Sequence, residues 1–212
     1  MPWSRLLAAY RAMTVLHNLL GVASGKMTHS RTLVMIMIVL GIAVLGGTII
    51  IFMGGYNVAA TSPDSGLMKW ILHTTMQHSV SARASSVHAP AQFTEEQVRE
   101  GSLEFGEMCA ACHGAPGKER GEIGKGLNPS PPNLVEVASS WSSAELFWIL
   151  KNGIKMTGMP AFGPTHSDAR LWSIVAFVMQ LPKLTPDDYK KMVHSISEHE
   201  HQHEDGHDHQ HQ

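Results

Sequence analysis

Two thiols and an imidazole occupy one short stretch of this 212-residue chain: Cys109-Ala-Ala-Cys112-His113-Gly114 contains both cysteines of the sequence. Three chemistries use a C-x-x-C pair: a dithiol redox couple, half of a zinc site, or the attachment of a c-type haem. Tetrahedral zinc takes about four Cys or His ligands. With no second cysteine pair, it would have to recruit scattered histidines. A dithiol oxidoreductase places its pair at a helix start beside alternating strands and helices, and no such alternation follows here. Haem attachment uses every residue of the stretch. Cys109 and Cys112 stand about one helical turn apart, so both can form thioethers to the vinyl groups of one porphyrin. His113 then turns its imidazole to the iron from the proximal side.

A haem with one histidine has a second face to fill or to leave open. The stretch Asn152-Gly-Ile-Lys-Met156-Thr-Gly158-Met159-Pro160-Ala-Phe-Gly163 offers two thioethers. Thioether is a soft, neutral ligand that favours ferrous iron and raises the potential. Gly158 and Pro160 hold an irregular loop around Met159, which makes it the expected distal ligand, with Met156 in reserve.

The elements that must carry these groups read as helices. Thr94-Glu-Glu-Gln97 is a capping box that starts a helix running on to the cysteines. Gly101 and Phe105 stand eight and four residues before Cys109 on one face, and a glycine there lets another helix cross closely. Ser142-Ser-Ala-Glu145 starts a second helix, which stops near Asn152 and Gly153. A third begins near Thr165 or Ser167, carries Leu171, Trp172, Ile174, Val175, Phe177 and Val178, and ends at Leu181-Pro182. No part of this unit alternates as a strand does. The expectation is a small all-α unit whose thin core is filled out by Trp141, Phe147, Trp148, Phe162, Trp172 and Phe177 around the cofactor.

From about Thr94 to Pro182 the chain resembles the class I mono-haem cytochromes c. The resemblance rests on Gly101 and Phe105, on Cys109 to Gly114, on Pro132-Asn133-Leu134, on Met159-Pro160 and on a final helix with Phe177. It implies that the first and last helices cross through Gly101 and Phe177. It also implies that the Pro132 carbonyl accepts a hydrogen bond from the proximal imidazole Nδ1, and that Met159 is the distal ligand. One covalently attached haem c would then pass single electrons through an iron with both axial positions filled, so the resemblance implies a carrier rather than an enzyme. Lys118, Arg120, Lys125, Lys151 and Lys155 flank these segments and could form a basic rim that steers an acidic partner.

Outside that span the chain changes character. Leu33 to Met53 carries no charge and as a helix would be roughly 30 Å long, the thickness of a bilayer core. A cleavable signal is the rival reading, with Val58-Ala-Ala60 as a small-residue site, but its apolar region should be about 7–15 residues long. Arg5, Arg11, Lys26 and Arg31 all precede the run. An anchor with its N-terminus in the cytoplasm and the haem domain in a periplasm-like compartment is therefore expected. Residues 1–26 read either as an interfacial helix or as a stretch not made at all, with Met27 opening a short basic region before the span. Thr61 to Ala91 has linker composition around a short amphipathic helix, Leu67 to Val80, expected to lie on a membrane surface or dock on a partner subunit.

The resulting plan is a cytoplasmic segment 1–32, a transmembrane anchor 33–53, a tether 54–91, a cytochrome c domain 92–190 and a disordered tail 191–212. From His194 on, the tail carries seven histidines among carboxylates and amides, a composition that binds Zn, Cu or Ni loosely. The net charge of −2 gives no support to nucleic-acid binding. Expected partners are a quinol-oxidising complex or dehydrogenase on one side and a terminal oxidase or reductase on the other. A permanent haem subunit of a membrane complex is the alternative, and a haem-based sensor with an exchangeable distal ligand is a third.

Overall fold

The computed structural model describes residues 29–193; the segments 1–28 and 194–212, with Arg5, Arg11, Lys26, the segment expected as an interfacial helix and the histidine tail, lie outside it. Among the described residues every regular element is a helix, and the single β-contact is an isolated bridge between Ala115 and Lys118. The chain divides into two units, one ending at Val58 and one beginning at Ala59.

The first unit contains α1, His29–Phe52. It starts before Leu33, taking in His29 and Arg31, and Met53 falls in the turn after it. At 1.5 Å per residue its 24 residues reach about 36 Å, enough to cross a bilayer core. No residue of α1 is buried against protein, so its apolar side chains face outward along its whole length. Thr48 satisfies its own hydroxyl by donating to the Val44 carbonyl at 2.8 Å, as a polar side chain in an apolar helix must.

The second unit is built around α3 (Glu95–Glu104) and α8 (Asp168–Val178), with α7 (Ser143–Asn152) beside them. Thr94 and Gln97 form the expected capping box on α3, and Ser142 and Glu145 form the one on α7. Ser167 caps α8 by accepting from the Arg170 N–H at 3.4 Å. The helices α3 and α8 cross almost in backbone contact. A Cβ on Gly101 would lie 1.8 Å from the Ser173 carbonyl oxygen and 3.0 Å from the Phe177 Cβ. One turn on, Phe105 and Phe177 meet with ring centroids 5.2 Å apart, both fully buried. Arg170 with Glu104, and the Ser173 hydroxyl donating to Glu100 at 3.1 Å, tie the two helices alongside the crossing.

Phe147 stacks on Trp172 at 4.1 Å, and Trp141 and Phe162 pack on the same core. Trp148 stays half-buried and outside that cluster.

Three features depart from the sequence reading. The first helix does not run on to the cysteines as a regular α-helix. Phe105–Cys109 is a π turn, in which the Ala110 N–H reaches back to the Phe105 carbonyl, and α4 (Ala110–His113) follows. A π turn inserts extra backbone and so turns the cysteines relative to Gly101 and Phe105. Second, the short helix expected over Leu67 to Val80 runs on into the stretch of linker composition after it. Here α2 runs Gly66–Ala84 from its cap Ser65, and Val80 and Ala84 are buried in the second unit. Ser81 donates to Glu145 on α7. Third, residues 186–193 form a further helix, α9, which sets Tyr189 and Met192 against the core. Thr185-Pro186-Asp187-Asp188 announces it: Thr185 accepts from the Asp188 N–H at 3.2 Å, and proline suits a first helical turn.

Gly101→Ala should cost about 2 kcal/mol or more of unfolding free energy, because the crossing has no room for a methyl group. Gly106→Ala, where a Cβ meets nothing within 4 Å, should leave stability within about 1 kcal/mol of the parent. Chemical denaturation followed by circular dichroism measures both.

Candidate haem site

The motif helix α4 is held from the side by the loop that follows it. Gly114, at φ 74°, ends the helix, and the Ala115–Lys118 turn reverses the chain. The Gly121 N–H then donates to the Ala111 carbonyl at 2.9 Å. The short helix α5 (Glu122–Gly126) presses on the motif at Gly124, where a Cβ would stand 2.6 Å from the Cys112 oxygen.

His113 Nδ1 donates to the Pro132 carbonyl at 2.9 Å, the contact implied by the resemblance. That bond fixes the tautomer: with the proton on Nδ1, Nε2 keeps its lone pair for a metal. Burial holds the imidazole below its ordinary pKa, the Pro132 bond works against this, and the nearby Arg120 charge adds to it. This direction favours the neutral ring, the form a metal ligand needs. The acceptor is held as firmly as the donor. Arg120 Nη1 donates to the Pro131 carbonyl at 2.9 Å. On the other side, Asn133 caps α6 (Leu134–Val137) by accepting from the Val135 N–H at 3.1 Å.

Cys109 is buried and Cys112 half-buried, and they are not joined to each other. Burial, reinforced by the charges of Cys112 and Glu104, pushes the Cys109 thiol up to about 12. A redox-active pair depends on a lowered thiol pKa, so this environment disfavours dithiol chemistry. Zinc has no support either: among the described residues no three His, Cys, Asp or Glu side chains gather as a metal site.

The two candidate methionines part company. Met156 is 80% exposed and takes a left-handed conformation at φ 62°. Met159 is half-buried and packs against the core. Its loop closes on itself: the Met159 N–H donates to Thr157 Oγ1 at 3.1 Å, and that hydroxyl donates to the Ile154 carbonyl at 2.7 Å. Gly153, at φ 65°, allows the loop to lie against the end of α7, since a Cβ there would meet the Met159 oxygen at 2.8 Å. Gly158 lies equally close to Leu127.

Most of the expected basic rim is engaged elsewhere. Lys125 pairs with Glu119 at 3.1 Å, Lys151 pairs with Asp168 at 2.7 Å, and Arg120 turns inward to Pro131.

Residues 96–178 match the family described as cytochrome C oxidase, cbb3-type, subunit III. No curated protein matches the chain. Over the matched segment the chain resembles the class I c-type cytochromes, and the helical unit is a cytochrome c domain that follows one long apolar helix. Such a domain implies haem-based electron transfer. The donor set fits a haem c: an imidazole with Nε2 available, a thioether packed against the core, and two cysteines that are not joined to each other.

Arg120 acts on the site through Pro131 and Pro132. In the haem-loaded protein, Arg120→Gln should leave the haem content unchanged but shift the midpoint potential, because the aim and basicity of the imidazole depend on that carbonyl. Redox titration followed in the visible spectrum measures the shift. Arg120→Lys should restore only part of it, lacking the planar fork of guanidinium.

Proposed function

We propose that this protein is a membrane-anchored mono-haem cytochrome c that transfers single electrons in a respiratory chain. The observation that carries the reading is the His113 Nδ1–Pro132 bond, made directly behind a C-x-x-C pair. One haem c would be held by thioethers from Cys109 and Cys112, with His113 as proximal and Met159 as distal ligand. The bound group would supply a one-electron Fe(II)/Fe(III) couple. The chain's own contribution would be to hold an imidazole in one orientation and to offer a thioether from Met159, on a body packed through the Phe105–Phe177 and Phe147–Trp172 pairs. If His113 and Met159 both hold the iron, no open site would remain for a substrate, which favours an electron-transfer role over catalysis.

The uninterrupted apolar surface of α1 supports a single-pass anchor in the cytoplasmic membrane. The bases before it support a cytoplasmic N-terminus with the haem domain in the periplasm. The family matched by residues 96–178 supports a redox partner in an oxidase complex. The donor side would be a quinol-oxidising complex or dehydrogenase. A permanent subunit role is the second reading, favoured by the same match, and a stable stoichiometric partner after mild detergent extraction would establish it.

Met159→Ala should keep its haem, lose the weak far-red band of sulfur-ligated ferric haem, fall in potential and gain carbon monoxide binding. Met156→Ala should change none of these, since that side chain is in solvent. Reversed behaviour of the two variants would move the ligand to Met156. Ready carbon monoxide binding by the wild type would favour a sensor.

Membranes washed with high salt should retain the full chain. Release into the wash, with an N-terminus near Thr61, would show that the apolar run is a cleaved signal.

A further inference from the structure

The long helix α2 has two unlike ends. Its last turns belong to the cytochrome c domain: Val80 and Ala84 are buried there, and Ser81 is bonded to Glu145 on α7. Its first two turns carry Leu67, Met68, Trp70, Ile71 and Leu72, all exposed, with Leu67 at 67% and Trp70 at 65%. These side chains therefore form an apolar surface fixed to a folded body. The segment before α2 is tied to that body too, because Asn128 Nδ2 donates to the Ser62 carbonyl at 3.1 Å.

We propose that this end of α2 is a lipid-docking site that seats the cytochrome c domain on the bilayer surface. The proposal rests on α1 being a membrane anchor. Between Phe52, the end of α1, and Ala59, where the second unit begins, only residues 53–58 are left as a connector. Fully extended, that connector reaches at most about 25 Å. The domain is therefore kept close to the membrane, and an apolar surface entering the chain at Leu67 is held within reach of the headgroups.

The chemistry of the surface suits that boundary. Trp70 presents an apolar ring with an N–H at its edge, the combination enriched where lipid meets water. Leu67 and Ile71 lie one turn apart on the same face as each other. Lys69 lies on the other side of the helix from Leu67 and Ile71, and its long stem lets the ammonium reach back to anionic headgroups. Between Gly66 and Ala84 there is no acidic residue, and the charges are Lys69 and Arg83.

The test uses the full haem-loaded chain in vesicles of phosphatidylethanolamine and phosphatidylglycerol. Single cysteines are placed by Leu67→Cys, Trp70→Cys and, as an exposed control on the same helix, Gln77→Cys, and are alkylated with a water-soluble maleimide. The expected result is alkylation several-fold slower at positions 67 and 70 than at 77, at every protein-to-lipid ratio. Adding Trp70→Ser and Ile71→Ser to Leu67→Cys should abolish the protection. Equal rates at all three positions would overturn the proposal. Protection that fades as protein is diluted in lipid would assign the surface to a second copy, and protection only in native membranes would assign it to a partner protein. Either result would also overturn the lipid site. Alkylation of the wild type would instead count against thioether attachment at Cys109 and Cys112, and loss of protein on salt washing against the anchor.

Discussion

The absence of a side chain at Gly101 is the constraint on which the cytochrome c domain is organised. It lets the backbone of α3 meet the backbone of α8 at Ser173, with no space left for a methyl group. Once the helices are that close, Phe105 and Phe177 are forced into one buried pair and the register of both helices is set. The motif helix leaves α3 through the π turn, so the direction in which Cys109, Cys112 and His113 face follows from that crossing. Aromatic burial at Phe147 and Trp172 then closes α7 against α8.

Around the site, backbone groups do most of the holding. The His113 imidazole is aimed by the Pro132 carbonyl, with Arg120 bonded to the neighbouring Pro131 carbonyl on one side and the Asn133 cap on the other. The Met159 loop is tied by Thr157 and lies against Gly153, whose missing Cβ makes the approach possible. Groups held this way do not have to reorganise when the charge of a bound metal changes, which suits a centre that gains and loses one electron. Basic side chains near the site are also engaged. Arg120 is spent on Pro131, and Lys151 lies over Phe147 at 5.5 Å while pairing with Asp168. The ring of free lysines expected from the sequence is therefore smaller, and paired charges steer weakly.

The chemistry of the site was legible in one dimension because its residues are close together or sit in local signals. Cys109, Cys112 and His113 fall within one helical turn. Thr94 with Gln97 and Ser142 with Glu145 mark their helix starts through hydrogen bonds spanning three residues, and both capping boxes form. The apolar run of α1 likewise declares itself by composition. The helix at 186–193 carried a comparable local signal in Thr185 to Asp188, but its apolar residues Tyr189 and Met192 are too few to stand out from the polar tail.

What tertiary structure alone decided are matters of burial and of contact between distant residues. Linker composition at residues 79–91 says nothing of the burial of Val80 and Ala84, because small side chains suit a loose segment and a tight helix contact equally well. The π turn arises where the geometry of the α3–α8 crossing meets that of the motif helix, and helical periodicity read along the chain cannot register an inserted residue. The choice between an exposed Met156 and an inward Met159 depended on how a loop closes on Gly153 and Leu127, residues drawn from two other segments. The sequence by itself determined which groups could do chemistry and that they would ride on helices, because those properties depend on residue type and short spacing. Which side chains face inward, and how the segment before the domain is bound to it, depends on packing between parts of the chain far apart in sequence.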